Sequence, residues 1–260
     1  MNYFADADVA RRYATFRPYF HPLVISKVQN ALHLDTPVKK ALDVACGTGQ
    51  STRALKHIAD QAIGCDLSPE MLAAATELPG VSYILAPAEQ LPFDGASIDL
   101  ITISSAFHWV DRMRFLPEAA RVLRSGGWLV IYDNSFEGSM RENQAFEQWV
   151  AQQYLTQYPV TPRENKPLDP HVLAEHGLRF IREERYVNEV LFTREDLVRY
   201  LMTKSLVISV LERGERSQEE VYLSLLEQVS PFFTSEHGTF RFSGYIWYIQ
   251  KENTTRAADR

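Results

Sequence analysis

The 260-residue chain is 45% hydrophobic, with 14 Phe, 12 Tyr and 4 Trp, and sets 27 basic side chains against 33 acidic ones for a formal charge of −6. That length suits one α/β domain with additions, and the apolar content excludes a largely disordered chain. The acidic balance argues against a phosphate-backbone partner, so no nucleic acid is expected. Two cysteines, Cys46 and Cys65, make no disulfide framework and fit free thiols in a cytoplasmic protein. No apolar run reads as a signal peptide or a span, so no membrane is expected either.

Taken in chain order, residues 3–32 read as helical, with Tyr3, Phe4, Tyr13, Phe16, Tyr19 and Phe20 clustered and Pro18 and Pro22 breaking the run. Such an aromatic segment is either a cover over an opening or a helix packed on a sheet edge. From 40 to 133 apolar runs alternate with amphipathic stretches, the pattern of a parallel sheet with crossover helices. Strands are predicted at 41–45, 62–65, 81–85, 98–104 and 128–132. Ser68 caps a helix with Pro69 at its first position and an apolar stripe of Met71, Leu72, Ala75 and Leu78. A further helix over 115–123 is expected to stop before Gly126 and Gly127.

Beyond 133 the regularity weakens, and Pro159, Pro162, Pro167 and Pro170 read as a loop. Thr193 with Asp196 and Ser217 with Glu220 have capping-box spacing, which predicts helices over 194–212 and 217–230, parted near Gly214. The alternating run 239–249 predicts a last strand.

The central motif is Leu42-Asp43-Val44-Ala45-Cys46-Gly47-Thr48-Gly49-Gln50, a strand running into a glycine turn and then a helix from about Ser51. Such a turn lets a ligand touch backbone. Asp66, 19 residues past Gly47 at the end of the second strand, stands where a carboxylate accepts from ribose hydroxyls. Alternatively it prepares the turn into the Ser68 helix. Two nucleoside ligands compete, a nicotinamide dinucleotide and S-adenosylmethionine. The third glycine of a dinucleotide fingerprint would fall on Thr52, and no Lys or Arg lies between Ala41 and Thr52 to meet a pyrophosphate. The net positive charge of S-adenosylmethionine suits a turn flanked by Asp43 and Asp66.

His108 follows the fourth strand, where open α/β sheets bind ligands, and an ordinary imidazole pKa near 6.5 suits a general base at neutral pH. Between Phe107 and Trp109 it equally suits a pocket wall. Tyr132, Asp133 and Asn134 end the fifth strand and are placed to face an acceptor. Arg199, Tyr200 and Lys204 are either a second acceptor-side set or the solvated face of a helix. Neither a C-x-x-C pair nor an H-E-x-x-H motif is present, so no metal is expected.

These motifs resemble the class I methyltransferases, and within them the small-molecule group described as methyltransferase type 11 or trans-aconitate-methyltransferase-like. The resemblance covers 10–135. It rests on 42–50, on Gly64-Cys65-Asp66-Leu67-Ser68-Pro69-Glu70-Met71-Leu72, on Ala88-Glu89-Gln90-Leu91-Pro92-Phe93, on Ser97-Ile98-Asp99-Leu100-Ile101-Thr102 with Phe107-His108-Trp109, and on 118–127.

The resemblance implies an α/β, Rossmann-like seven-stranded mixed sheet of order 3-2-1-4-5-7-6, last strand antiparallel, with helices on both faces and a helical cap. It implies S-adenosyl-L-methionine as cofactor. Gly47 and Gly49 would pass beneath its methionine part in a loop shared with Asp43 and Ala45. Asp66 would hold the ribose, Leu67 and Met71 would flank the adenine, and Ala88 and Glu89 would lie at its edge, with Ser104 closing the set. Tyr13 and Arg17 resemble the opening-helix residues that reach the cofactor carboxylate.

Ala45 replaces a frequent glycine, which a negative φ would tolerate. Pro87 stands where many members have aspartate and removes both a backbone donor and a candidate acid for the adenine amino group, an acid for which Glu89 would compensate. Ser125 replaces a common proline. Within a single domain over 1–260, the expected parts are an N-terminal lid (1–35), a cofactor core (36–135), an acceptor-side region (136–235) with a cap insertion at about 194–230, and a final strand (236–250). The implied activity is methyl transfer to a small-molecule acceptor at oxygen, carboxylate or hydroxyl. A binding module without turnover and an NAD-dependent oxidoreductase are the alternatives.

Overall fold

The computed structural model describes residues 6–159 and 168–253. Tyr3, Phe4, Pro162 and Pro167 lie outside the described residues. Seven strands, β1 (Val38–Val44), β2 (Ala59–Asp66), β3 (Val81–Leu85), β4 (Ile98–Ser104), β5 (Leu123–Met140), β6 (Leu178–Phe192) and β7 (Gly238–Lys251), form one sheet of order β3-β2-β1-β4-β5-β7-β6. β7 is the antiparallel member. The parallel register sets Leu42 beside Ile63 and Ile101, and Val44 beside Cys65 and Ile103. The ends of β1, β2 and β4 are thereby brought level.

The helices are α1 (Ala7–Phe16), α2 (His21–Ala31), α3 (Gln50–Leu55), α4 (Pro69–Ala73), α5 (Arg112–Val122), α6 (Ala145–Trp149), α7 (Leu155–Gln157), α8 (Pro170–Glu175), α9 (Arg194–Leu201), α10 (Ser205–Glu212) and α11 (Gln218–Val229). A π-helical turn, Val150–Tyr154, joins α6 to α7. Among the described residues no helix is long and apolar enough to cross a membrane.

Several boundaries differ from the sequence expectation for local reasons. Arg17, extended before Pro18, ends α1, but Pro22 sits in the first turn of α2, where its missing N–H costs nothing. Ser68 caps α4 as expected, accepting the Met71 N–H at 3.2 Å. That helix ends after Ala73, so the stripe reaching to Leu78 is not built, and Leu78 is 41% exposed.

The helix α5 passes straight into β5 at Leu123. Gly126 and Gly127 fall in the excursion where Ile98 pairs with Leu123 but Leu100 pairs with Trp128. The predicted helix 194–212 is two, because the Thr203 hydroxyl donates back to the Tyr200 carbonyl at 2.7 Å and Lys204 is extended. Ser217 and Glu220 close a full capping box on α11.

Contacts group the chain into two compact units, one of His21–Asp133, Glu164–Glu184 and Tyr245–Arg260, the other of Met1–Phe20, Asn134–Arg163 and Arg185–Gly244. The core of the first is aliphatic, built on Leu42, Val44, Ile101, Ile103, Leu129 and Ile131 with Phe107 and Phe115. The second is aromatic, with Phe146, Trp149, Tyr154, Phe192, Tyr200, Phe240 and Phe242 enclosed. By the order-of-magnitude rule of 1.5 to 3 kcal/mol per buried large side chain, each core offsets much of its own ordering entropy.

Candidate functional site

The glycine turn follows directly from β1. The chain leaves Val44 through Ala45 at φ 53°, Gly47 at φ 54° and Gly49 at φ 74° before α3 begins at Gln50. Ala45 therefore sits in the left-handed region rather than at a negative φ, a strained position for a side chain bearing Cβ. A Cβ at Gly49 would lie 2.6 Å from ring carbons of Tyr83, so a substituent there has to displace that ring. At Gly47 a Cβ would meet only the flexible end of Met71, at 3.1 Å.

Two acids frame the turn in different ways. Asp43 is 0% exposed, and its carboxylate accepts from Ser51 Oγ at 2.5 Å, Thr52 Oγ1 at 2.7 Å and Thr102 Oγ1 at 2.8 Å. It thus ties β1, α3 and β4 together from inside. Burial pushes its carboxyl up to about 6, against the pull of those three hydroxyls and with a small push from Asp66. Of the two acids expected to flank a ligand, only Asp66 reaches solvent. Its carboxylate accepts the Gly47 N–H at 2.7 Å and the Ser68 N–H at 2.9 Å, so it both latches the glycine turn and shapes the approach to α4.

The remaining residues of the expected set lie around this unit's strand ends. Leu67 is 67% exposed just beyond Asp66, while Met71 is buried with its methyl toward Gly47. Ala88 is half-buried against the aliphatic core. Glu89 accepts the Asp111 N–H at 2.9 Å, which commits one carboxylate oxygen to the start of α5. Ser104 ends β4 half-buried, and the next residue, Ser105, at φ 52°, donates to Asp133 at 2.8 Å. His108 is half-buried with its ring centroid 4.9 Å from that of Trp109.

Tyr13 and Arg17 belong to the other unit. There the Arg17 guanidinium lies 4.6 Å from the Tyr13 ring and 5.5 Å from that of Tyr200, and donates to the Thr203 carbonyl at 2.9 Å. Lys204 Nζ donates to the Tyr200 hydroxyl at 3.3 Å, and Arg199 lies over Phe16 at 5.6 Å.

The structure adds residues that the sequence does not single out. Tyr245 and Trp247 of β7 lie 4.6 Å apart, and Trp247 meets Phe107 edge-on at 6.3 Å, with Arg112 over the Phe107 ring at 4.4 Å. Burial pushes the Tyr245 hydroxyl up to about 12, with Asp133 adding to the rise and Arg112 opposing it. Tyr132 Oη lies 3.1 Å from His21 Nδ1, whose imidazole burial and Arg53 lower to about 3. Period-2 alternation marks β7 as a strand, but nothing local signals which strand neighbour its aromatics meet. The thiols of Cys46 and Cys65 are free and pushed up by burial, which disfavours the thiolate.

Residues 42–131 match the family described as a methyltransferase domain. An uncharacterised methyltransferase of Mycobacterium tuberculosis is 36% identical over 124 residues, 47% of this chain and 49% of that protein. A malonyl-[acyl-carrier protein] O-methyltransferase of Herminiimonas arsenicoxydans is 39% identical over 110 residues, 41% of each chain. The chain thus spans about half the length, or less, of these relatives. A solved structure from Anaeromyxobacter dehalogenans, provisionally assigned as a type II methyltransferase, superposes with a TM-score of 0.64 at 22% identity, covering 87% of this chain and 96% of that one. Residues 42–131 therefore match a methyltransferase domain, and the cofactor that the sequence resemblance implies is S-adenosylmethionine.

The residues fit that cofactor. A turn with left-handed residues at 45, 47 and 49 presents backbone rather than side chains, the only acid of the turn open to solvent is Asp66, and an exposed Leu67 follows it.

Proposed function

We propose that the protein transfers a methyl group from S-adenosylmethionine to a small-molecule acceptor at oxygen, a carboxylate or a hydroxyl. The carrying observation is the latch between Gly47 N–H and Asp66, which fixes a carboxylate beside backbone opened by glycine. Gly47, Gly49, Asp66, Leu67, Met71 and Ala88 are the residues that would hold the cofactor, with Asp43 bracing them from behind. When bound, the cofactor supplies a methyl carbon already activated by a sulfonium, so alignment and exclusion of water carry most of the acceleration.

A carboxylate acceptor needs no base. A hydroxyl acceptor does, and His108, half-buried just beyond β4, is our candidate for taking its proton. The name of the Herminiimonas relative supports oxygen as the attacking atom. The charge of −6 supports a small molecule over nucleic acid, and two free buried thiols support a cytosolic location.

The test has two stages. Titration with S-adenosylhomocysteine should raise Tm, and Asp66→Ala should abolish the rise. Incubation of metabolite extracts with methyl-labelled S-adenosylmethionine should then label an acidic or phenolic compound. Label released by mild alkali identifies a methyl ester and stable label an ether. Binding of NAD in place of S-adenosylhomocysteine, or label found on nitrogen, carbon or nucleic acid, would overturn the reading.

A further inference from the structure

The unit that holds α1, α9 and α11 contains a cleft of about 390 Å³ lined by Arg12, Phe16, Arg199, Met202, Gln218, Glu219 and Tyr222. That volume lies in the range of small-ligand sites. Its walls are apolar and aromatic, from Phe16, Met202 and Tyr222. Its polar groups are unequal in how they are already engaged.

Arg199 is committed: Nη1 donates to Asp196 Oδ1 at 3.2 Å, and its guanidinium lies over the Phe16 ring at 5.6 Å. Glu219 is an exposed residue in the first turn of α11, where solvent screens its charge. Arg12 differs from both. Its Nε and Nη1 are shielded from solvent and donate to no acceptor of the protein. A guanidinium remains charged under all physiological conditions, so these donors cannot be silenced by losing a proton. Leaving buried charged donors unsatisfied is costly, a cost that an incoming acceptor would cancel.

We propose that this cleft is a binding site for a small organic monocarboxylate, its carboxylate held by Arg12 and its apolar body lodged among Phe16, Met202 and Tyr222. Asp6 and Asp8 lie within electrostatic reach of the Arg12 guanidinium, but its Nε and Nη1 donate to neither, so these two donors are left to meet one carboxylate, while Arg199 is balanced by Asp196. The aromatic walls select a hydrocarbon or ring body over a bare inorganic anion. The proposal does not depend on the activity proposed for the glycine turn.

The probes are octanoate and phenylacetate, their neutral partners 1-octanol and 2-phenylethanol, and inorganic phosphate, titrated calorimetrically into the full chain. At least one carboxylate should bind, its neutral partner should bind about tenfold more weakly or worse, and phosphate should give no heat. Arg12→Met keeps much of the side chain's bulk without its donors and should weaken the carboxylate at least about tenfold. Tyr222→Trp narrows the cleft without touching Arg12 and should weaken carboxylate and alcohol together. Both variants should still bind S-adenosylhomocysteine, which establishes that they are folded, whereas Asp66→Ala should lose S-adenosylhomocysteine and keep the carboxylate. Equal binding of acid and alcohol, undiminished acid binding by folded Arg12→Met, or no binding of either acid would overturn the proposal.

Discussion

Replacing Asp43 by Asn should change how stability depends on pH, by an amount that follows from the enclosure of that carboxyl. Burial raises it from 3.8 to about 6, against the three hydroxyls it accepts from. An acid whose native pKa exceeds its unfolded value binds protons more readily when folded, so its contribution is full below the unfolded value and is lost as pH rises through the native one. At about 1.36 kcal/mol per unit, a rise of about two units corresponds to ~3 kcal/mol, of which roughly 2.5 kcal/mol falls between pH 4 and pH 7.

Asn does not titrate, so Asp43→Asn removes this slope. Its amide retains one acceptor oxygen for three donors, which sets a pH-independent offset of about 1 to 3 kcal/mol. Urea unfolding of both proteins at several pH values isolates the effect, because every other titrating group cancels in the difference. Wild type should lose roughly 2.5 kcal/mol relative to the variant between pH 4 and pH 7. A difference that stays constant across that interval would show that the carboxyl is not held in a water-excluded site, and the account of the brace would fail.

His21 gives the opposite sign. Its native pKa of about 3 lies below the ordinary 6.5, so its contribution is present above the ordinary value and is lost as pH falls through the native one. Relative to His21→Gln, wild type should lose about 2 kcal/mol between pH 7 and pH 5 in the same unfolding assay. Ala45→Gly should relieve about 1 kcal/mol of left-handed strain and return somewhat less through the unfolded chain, for a net gain near 0.5 kcal/mol at unchanged m. Ala45→Val should lose more than about 1 kcal/mol. Gly49→Ala should cost about 3 kcal/mol, because Tyr83 blocks its Cβ, whereas Gly177→Ala, at φ 65° with open space, should cost only about 1 kcal/mol. Equal losses for the two would mean that Tyr83 yields freely.

The first half of the fold is legible in the sequence because its signals are local. Strands 81–85 and 98–104 are met residue for residue by β3 and β4, because both are short apolar runs bounded by turn residues, β4 buried in the sheet and β3 at its edge. The strand order follows from the resemblance, not from any one residue. β6 escapes notice because it alternates inward Leu178, Phe180, Tyr186 and Phe192 with Arg179, Glu183, Arg185 and Glu189, the charge-rich face of a sheet edge. Its membership is decided by partners far away, such as Lys27 on Glu184 at 2.9 Å and Tyr248 on the same carboxylate at 3.1 Å.

Around the glycine turn the same divide applies. The backbone conformation of Gly47 and Gly49 and the place of Asp66 are written in one motif and one offset. That Asp43 turns inward depends on Thr102, 59 residues away, and the pairing of His21 with Tyr132 spans 111. Ala45 shows the limit from the other side, since composition gives no warning that an alanine will be held at φ 53°.

The division of labour between the two acids leads to a last prediction, which rests on the proposed activity. S-adenosylmethionine carries one more positive charge than S-adenosylhomocysteine and otherwise differs by a methyl group. Asp43 meets no solvent, so its charge at neutral pH acts through protein and is poorly screened by salt. Asp43→Asn loosens the turn for both ligands alike but removes the attraction for the sulfonium, which only S-adenosylmethionine carries. The ratio of the two Kd values, read by calorimetry, should therefore shift against S-adenosylmethionine by up to about tenfold, and the shift should persist when salt is raised from 0.1 to 0.5 M. If both affinities fall by the same factor, Asp43 acts on the turn as a mechanical brace alone, and the preference for a cation must come from Asp66.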